Sequence, residues 1–265
     1  MLISHESPIS ILDHSIHYND YDYCLVHLLE THPEYHSFFK RTLAMGREVL
    51  LDNSIFELGT AFDSSKFAEY VEELKPTFYV VPDVLEDTRG TIESFKKFVS
   101  EYPDLPGLKI GVVQGKTYQE LVECYKFMSE NADYIAISFD YSWYQAVGYS
   151  TYRDDRGKLE RYCTGRQYLI ESLIADGFWN KDKPHHLLGA SLAREFKNYK
   201  SIPSIRSVDT SNPIVAGIKG LRYIREIGLN SKPSVKLADL IDHEVSADEM
   251  QDIIHNVDEF RAIVG

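Results

Sequence analysis

The chain has 265 residues, with 28 Lys and Arg against 41 Asp and Glu, a formal net charge of -13, and 43% hydrophobic and 26% charged residues. That composition supplies a large core and excludes a disordered or membrane-resident protein, while the net charge, taken whole, argues against an ordinary basic nucleic-acid binder. Cys24, Cys124 and Cys163 are odd in number and lack any CxxC spacing, which excludes a disulfide framework or a four-thiolate zinc site.

The opening MLIS reads as a short strand. It lacks the basic head and apolar run of a signal peptide, and no stretch approaches the roughly 20 apolar residues of a membrane span, so a cytoplasmic protein is expected, in a bacterium or a phage-infected host. YCLVHLL at 23–29 is a second strand, followed by EVLLDNS at 48–54, FYVVPD at 78–83, LKIGVVQG at 108–115 and DYIAISFD at 133–140. Between these lie SSKFAEYVEEL at 64–74, TIESFKKFVSEY at 91–102 and TYQELVECYKFM at 117–128, whose apolar residues recur every three or four positions as on one face of a helix. The segment 140–165 is too long and polar for a simple loop and reads as a lid or insertion. HHLLGA at 185–190 and IRSVDT at 205–210 complete eight strands.

Continuous apolar strands alternating with amphipathic helices require a parallel sheet covered by helices. The economical architecture is a single-domain α/β chain over 1–265, an eight-stranded (β/α)8 TIM-type barrel. An open doubly wound sheet is the alternative, weakened because no GxGxxG or GxxxxGK[ST] loop follows any strand.

In such a barrel the reactive groups sit at the carboxyl ends of strands. Read in order, these are His5, Asp52 with Asn53, Asp83, Gln114 with Gly115, Ser138, Gly189, and Asp209 with Thr210. Each acid alone is explained as a helix N-cap, a position that Asp favours. Three acids aimed at one mouth favour function, since like charges raise one another's pKa and lose solvation. His185 and His186 are adjacent on a strand, point to opposite faces and cannot both ligate one ion. A hard-cation site made of Asp oxygens remains the metal alternative. Covalent catalysis by one carboxylate with proton transfer by a second is the stronger reading, and needs neither metal nor cofactor.

Five segments, LLDNSIFELG at 50–59, VPDV at 81–84, GVVQG at 111–115, HLLGAS at 186–191 and SVDTSNP at 207–213, resemble in content and order the motifs of the tRNA-guanine transglycosylases. MLISHESP and SVDTSNP look closer to the branch that places 7-deazaguanines in DNA. The resemblance implies that Asp209 is the nucleophile at C1′ and Asp52 the general acid/base. It implies that Asp83, Gln114 and the Gly115 N–H hold a guanine-like base, with Asn53, Ser138 and Gly189 lining its site and Phe56 or Tyr141 stacking on it. DNA, or tRNA, and a free 7-deazaguanine base are the implied partners, with no membrane involved. No cysteine follows Cys163, so the zinc subdomain of the tRNA enzymes is not expected, which puts tRNA recognition and the family's dimer in doubt. AISFDY at 136–141 departs from the family's glycine-rich strand end, which leaves the incoming base open, and water in its place would make the chain a glycosylase. A catalytically inactive nucleobase- or nucleic-acid-binding barrel is the alternative from another class.

Polynucleotide contacts require positive charge. Candidates are Arg153, Arg156, Lys158, Arg161 and Arg166, then Arg194, Lys197 and Lys200, then Lys219, Arg222 and Arg225; each set alone is also an ordinary solvated face. Residues 150–236 hold 16 Lys and Arg against 9 Asp and Glu, so the chain is polarised despite its overall charge.

Overall fold

The computed structural model describes residues 1–265. All eight expected strands form: β1 (Leu2–Ser4), β2 (Asp22–Leu25), β3 (Val49–Asp52), β4 (Phe78–Val80), β5 (Leu108–Val113), β6 (Tyr134–Ser138), β7 (His185–Leu188) and β8 (Ile205–Asp209). They make one parallel sheet in the order β1-β8-β7-β6-β5-β4-β3-β2, the order of a (β/α)8 barrel opened between β1 and β2. The registers Leu25↔Asp52 and Ser4↔Asp209 put residues of neighbouring strand ends level with one another.

Local signals place the crossover helices. Asp63 accepts from the Lys66 N–H to start Ser64–Leu74, and Asp87 accepts from the Gly90 N–H to start Thr88–Glu101. Thr117 and Glu120 form a capping box on Tyr118–Asn131, as Ser246 and Glu249 do on Ala247–Val264.

One expectation is corrected and another made specific. The run 23–29 is strand only to Leu25, and Val26–Thr31 is helical, because β3 supplies pairing partners only as far as Asp52. Segment 140–165, expected as a lid or an insertion, is a largely helical insertion. It contains the short helix Ser142–Val147 and the first half of Asp155–Ala175, which packs on it through glycines: a Cβ at Gly165 would lie 2.4 Å from that of Tyr144, and one at Gly148 would lie 2.1 Å from the Arg161 carbonyl oxygen. Its polar residues are divided between the non-helical connection 148–154 and the exposed side of the second helix.

By contacts the chain forms two compact units, one of Met1–Asp20, Ser138–Trp179 and Leu187–Gly265, the other of Tyr21–Ile137 and Asn180–His186. In the first, Ile11, Ile214, Val215, Ile218, Leu237, Leu240, Ile253 and Val257 make one core cluster. In the second, His186 stacks on Tyr23 and meets Tyr21 and Tyr134 edge-on. No helix is long and apolar enough to cross a membrane.

His5 belongs to the packing of the first unit. Its Nδ1 lies 3.2 Å from the Thr210 carbonyl, its ring meets Phe260 edge-on at 5.2 Å, and its buried Nε2 has no partner. Burial, aided by nearby Arg261 and opposed by Asp20, pushes its pKa down to about 4, so the ring is neutral in the fold. The unfolded chain takes up this proton near pH 6.5 and the native one only near 4, so the stability is present above about pH 6.5 and lost as pH falls through that window. Urea unfolding should lose about 2 kcal/mol from this group between pH 7.5 and 5. In His5→Gln that part of the loss should vanish; an unchanged pH dependence would remove His5 as its source.

Candidate active site

Each unit carries one set of strand-end groups. In the second unit, β3 ends at Asp52, which is buried and accepts the Ser54 N–H at 2.7 Å through Oδ2. That bond holds Ser54 in the left-handed region (φ 59°) ahead of the short helix Ile55–Leu58. Asp52 therefore also does the turn-forming work that Asp commonly does at such positions.

Asp83 lies beyond β4, fully buried between two amides. Asn53 Nδ2 donates to its Oδ1 at 2.8 Å and Gln114 Nε2 donates to its Oδ2 at 2.7 Å. Burial pushes the Asp83 pKa up, and the two N–H donors pull it back towards the charged form. Each oxygen keeps a lone pair beyond the amide it already accepts.

Gln114 is fixed in turn. Its Oε1 accepts from the Glu86 N–H at 2.8 Å, and its backbone carbonyl accepts from Thr88 Oγ1 at 2.6 Å. This leaves one amide proton of Gln114 uncommitted to these partners. Gly115 is buried against the start of Tyr118–Asn131, where an added Cβ would lie 2.9 Å from Leu121 N, so the absent side chain is a packing requirement.

Asn53 is corrected from a base contact to a positioning group. Both its amide protons are committed, to Asp83 and to the Val81 carbonyl, and its Oδ1 accepts from the Ile55 N–H.

In the first unit, β8 ends at Asp209, buried, with Oδ1 accepting the Gly189 N–H at 3.1 Å. Gly189 follows β7 with φ 65°, a conformation that glycine adopts without strain, and a Cβ there would lie 2.5 Å from the Phe139 ring. Ser138 Oγ donates to Asp140 at 2.8 Å, so its hydroxyl proton is directed to a carboxylate. The Tyr141 ring is buried against Tyr144 and its hydroxyl accepts from the Ser138 N–H, which makes it core and removes it as a stacking residue. Phe56 is exposed.

Arg166 is corrected outright. It is 0% exposed, forms a two-pronged ion pair with Glu195 at 2.6 and 3.1 Å, and donates to the carbonyls of Leu188 and Gly189. Burial works against its charge, but Glu195 with Tyr199 and Tyr144 holds its pKa above the ordinary arginine value. It cannot meet a phosphate, and it fixes instead the backbone that presents the Gly189 N–H to Asp209. One arginine among several on a largely polar helix carries no sequence signal for this.

The other candidate cations divide. Arg153 and Lys197 are exposed without a carboxylate partner, and Lys158 is exposed with its Nζ 5.9 Å from the Tyr162 ring centroid. Arg156 is paired with Asp154, Arg194 with Glu160 and Arg222 with Asp252, while Arg161 donates to Gln145. Of these, the largely exposed Arg156–Asp154 pair is of the kind that is weak and opens readily.

Lys232 is the group that sequence reasoning missed. Its Nζ lies 5.0 Å from the Phe139 ring centroid and 3.5 Å from the Ala190 carbonyl. Burial lowers its pKa, and the carboxylates of Glu6, Asp140 and Asp209 oppose that shift. This side chain comes from an irregular stretch, GLNSKPS, that has no motif.

No group of three or more His, Cys, Asp or Glu side chains is placed to hold a metal ion. No family model matches the chain, and no curated protein sequence is significantly similar to it. The class that fold and site define is a β/α barrel with buried carboxylates at its strand ends.

Proposed function

We propose that the protein is a base-exchanging transglycosylase that replaces guanine in DNA with a 7-deazaguanine derivative. The observation that carries this reading is Asp83, a buried carboxylate held by two amide donors and without a cationic partner among its contacts. Such a group is an acceptor built for N–H donors, and the N1–H and exocyclic amine edge of a guanine-like base offers two side by side. A site that depends on buried hydrogen bonds rejects analogues lacking them, because its own groups would be left unpaired.

The chemistry assigned to the remaining acids balances. An Asp209 oxygen attacks C1′ of the target nucleotide, the C1′–N9 bond breaks, and guanine leaves with the electron pair and takes a proton from Asp52. The glycosyl ester on Asp209 is then attacked by N9 of the incoming base, whose proton passes to Asp52, and the Asp209 carboxylate is released. The Gly189 N–H donates to Asp209 Oδ1 and orients the carboxylate for attack.

The test is to incubate the protein with labelled-guanine DNA and, separately, tRNA, following label release and a denaturant-resistant protein–nucleic acid adduct. Exchange on DNA supports the proposal; exchange on tRNA alone, release without base incorporation, or binding without an adduct would each replace it. Asp83→Ala should reduce discrimination between guanine and a base lacking the exocyclic amine by about tenfold or more. Unchanged selectivity would withdraw Asp83 from recognition.

A further inference from the structure

Immediately after β8 and the helix Asn212–Ile218, residues 219–228 form a tight turn. Ile224 and Gly228 exchange backbone hydrogen bonds, with Ile224 N–H donating at 3.0 Å and Gly228 N–H at 2.8 Å. Glu226 and Gly228 take positive φ angles of 62° and 78° to close it. The turn is anchored from below. Tyr223 is buried, its hydroxyl donates to Asn212, and its N–H donates to Asn256 Oδ1 at 2.7 Å. Asn256 also donates to the Leu221 carbonyl at 2.8 Å, and His255 Nε2 lies 3.0 Å from the Tyr223 carbonyl.

With Tyr223 fixed inward, its neighbours are held outward. Leu221 is 41% exposed, Ile224 50% and Ile227 39%. Three large aliphatic side chains thus face water from one braced turn of seven residues. Lys219, Arg222 and Arg225 are exposed beside them, and Glu226 is the only acid between 219 and 228. Arg222 is paired with Asp252 at 2.6 Å, which leaves Lys219 and Arg225 as the cations of this turn outside that pair.

Aliphatic side chains set among cations, on a rigid turn, match what a stacked polyanion requires. The cations meet phosphates, and the apolar tips enter between base steps and unstack them. We infer that the 219–228 turn is a wedge that inserts Ile224 and Ile227 into duplex DNA beside the nucleotide to be extruded. The inference rests on the nucleic-acid reading above and adds to it the step by which a paired base leaves the stack.

The full chain is titrated into a short DNA duplex carrying 2-aminopurine, read by fluorescence for unstacking and by anisotropy for binding. The wild type should bind with a fluorescence rise, and Ile224→Ser/Ile227→Ser should lose most of the rise and weaken duplex binding by about tenfold. Arg225→Gln should reduce the salt dependence of binding by about one ion. Tyr223 is untouched in these variants, so the turn keeps its anchor.

A rise of wild-type size in the double serine variant would overturn the wedge, as would no duplex binding by the wild type. So would concentration-dependent self-association that the same substitutions abolish, since the surface would then belong to a second copy. Adduct formation separates this inference from the proposed chemistry: the serine variant should lose adduct on duplex at least about tenfold more than on single strands, which need no unstacking. Wedge-dependent unstacking with no adduct on either substrate would leave the wedge standing and remove the transglycosylase reading.

Discussion

Arg166→Met is expected to destabilise the fold by about 3–5 kcal/mol, the cost of leaving a buried partner charge unpaired. Glu195 is as deeply buried as Arg166, and its remaining partner is the Tyr199 hydroxyl, which donates to Oε1 at 2.6 Å. The Leu188 and Gly189 carbonyls would lose their guanidinium donors in the same substitution. For a chain of this size the loss corresponds to a melting point lower by roughly 6–20 °C. Arg166→Met/Glu195→Leu should recover part of it, because no charge then remains in the core, but not all, because Tyr199 loses its acceptor. Calorimetry of the two variants decides the matter, and a single variant within about 1 kcal/mol of wild type would contradict the burial argument. The change should also reach the site: with the β7 end released, the Gly189 N–H is no longer aimed at Asp209, and the adduct should form more slowly even where the variant is still folded.

On the proposed chemistry, Asp209→Asn is expected to abolish the denaturant-resistant adduct and to lower base exchange on the order of 10⁴-fold, the scale of losing a nucleophile whose partners remain in place. The substitution is nearly isosteric, and an amide oxygen still accepts the Gly189 N–H, so stability should change little. Asp52→Asn should instead slow exchange by about 10²–10⁴, the usual range for a general acid/base, with the slow adduct still detectable. Gel electrophoresis under denaturing conditions with labelled DNA reads both variants. An adduct that persists in Asp209→Asn would move the nucleophile elsewhere.

Sequence reading was strongest where local chemistry and periodicity agree. Ser64–Leu74 was legible to its ends because Asp63 caps an amphipathic run, and the eight strands were legible as apolar runs. It failed at Val26–Thr31, whose apolar residues suit a strand equally well; only the length of β3 ends the pairing at Leu25. At 140–165 it left a lid or an insertion open, and only the close approach allowed by Gly148 and Gly165 shows two helices packed together.

The site divides in the same way. Asp52, Asp83, Gln114 and Asp209 were nameable because they follow apolar runs, and a parallel sheet makes strand ends chemically special. Asn53 was nameable for the same reason, yet its role as a brace depends on where Asp83 and Val81 lie. Arg166 looked like any other cation in a basic stretch. Whether an arginine meets a phosphate or a buried glutamate is decided by the face of the helix it occupies and by what packs there. Lys232 reaches the Ala190 carbonyl and the Phe139 ring only through the path of an irregular loop.

Composition, spacing and strand-end chemistry by themselves determined the α/β alternation, the eight-strand count and the acids at strand ends, because these follow from periodicity along the chain. The tertiary structure alone decided which polar groups are braces, which cations are buried and which apolar residues are held in water. Those distinctions depend on burial and on partners far apart in sequence, and no local pattern encodes either.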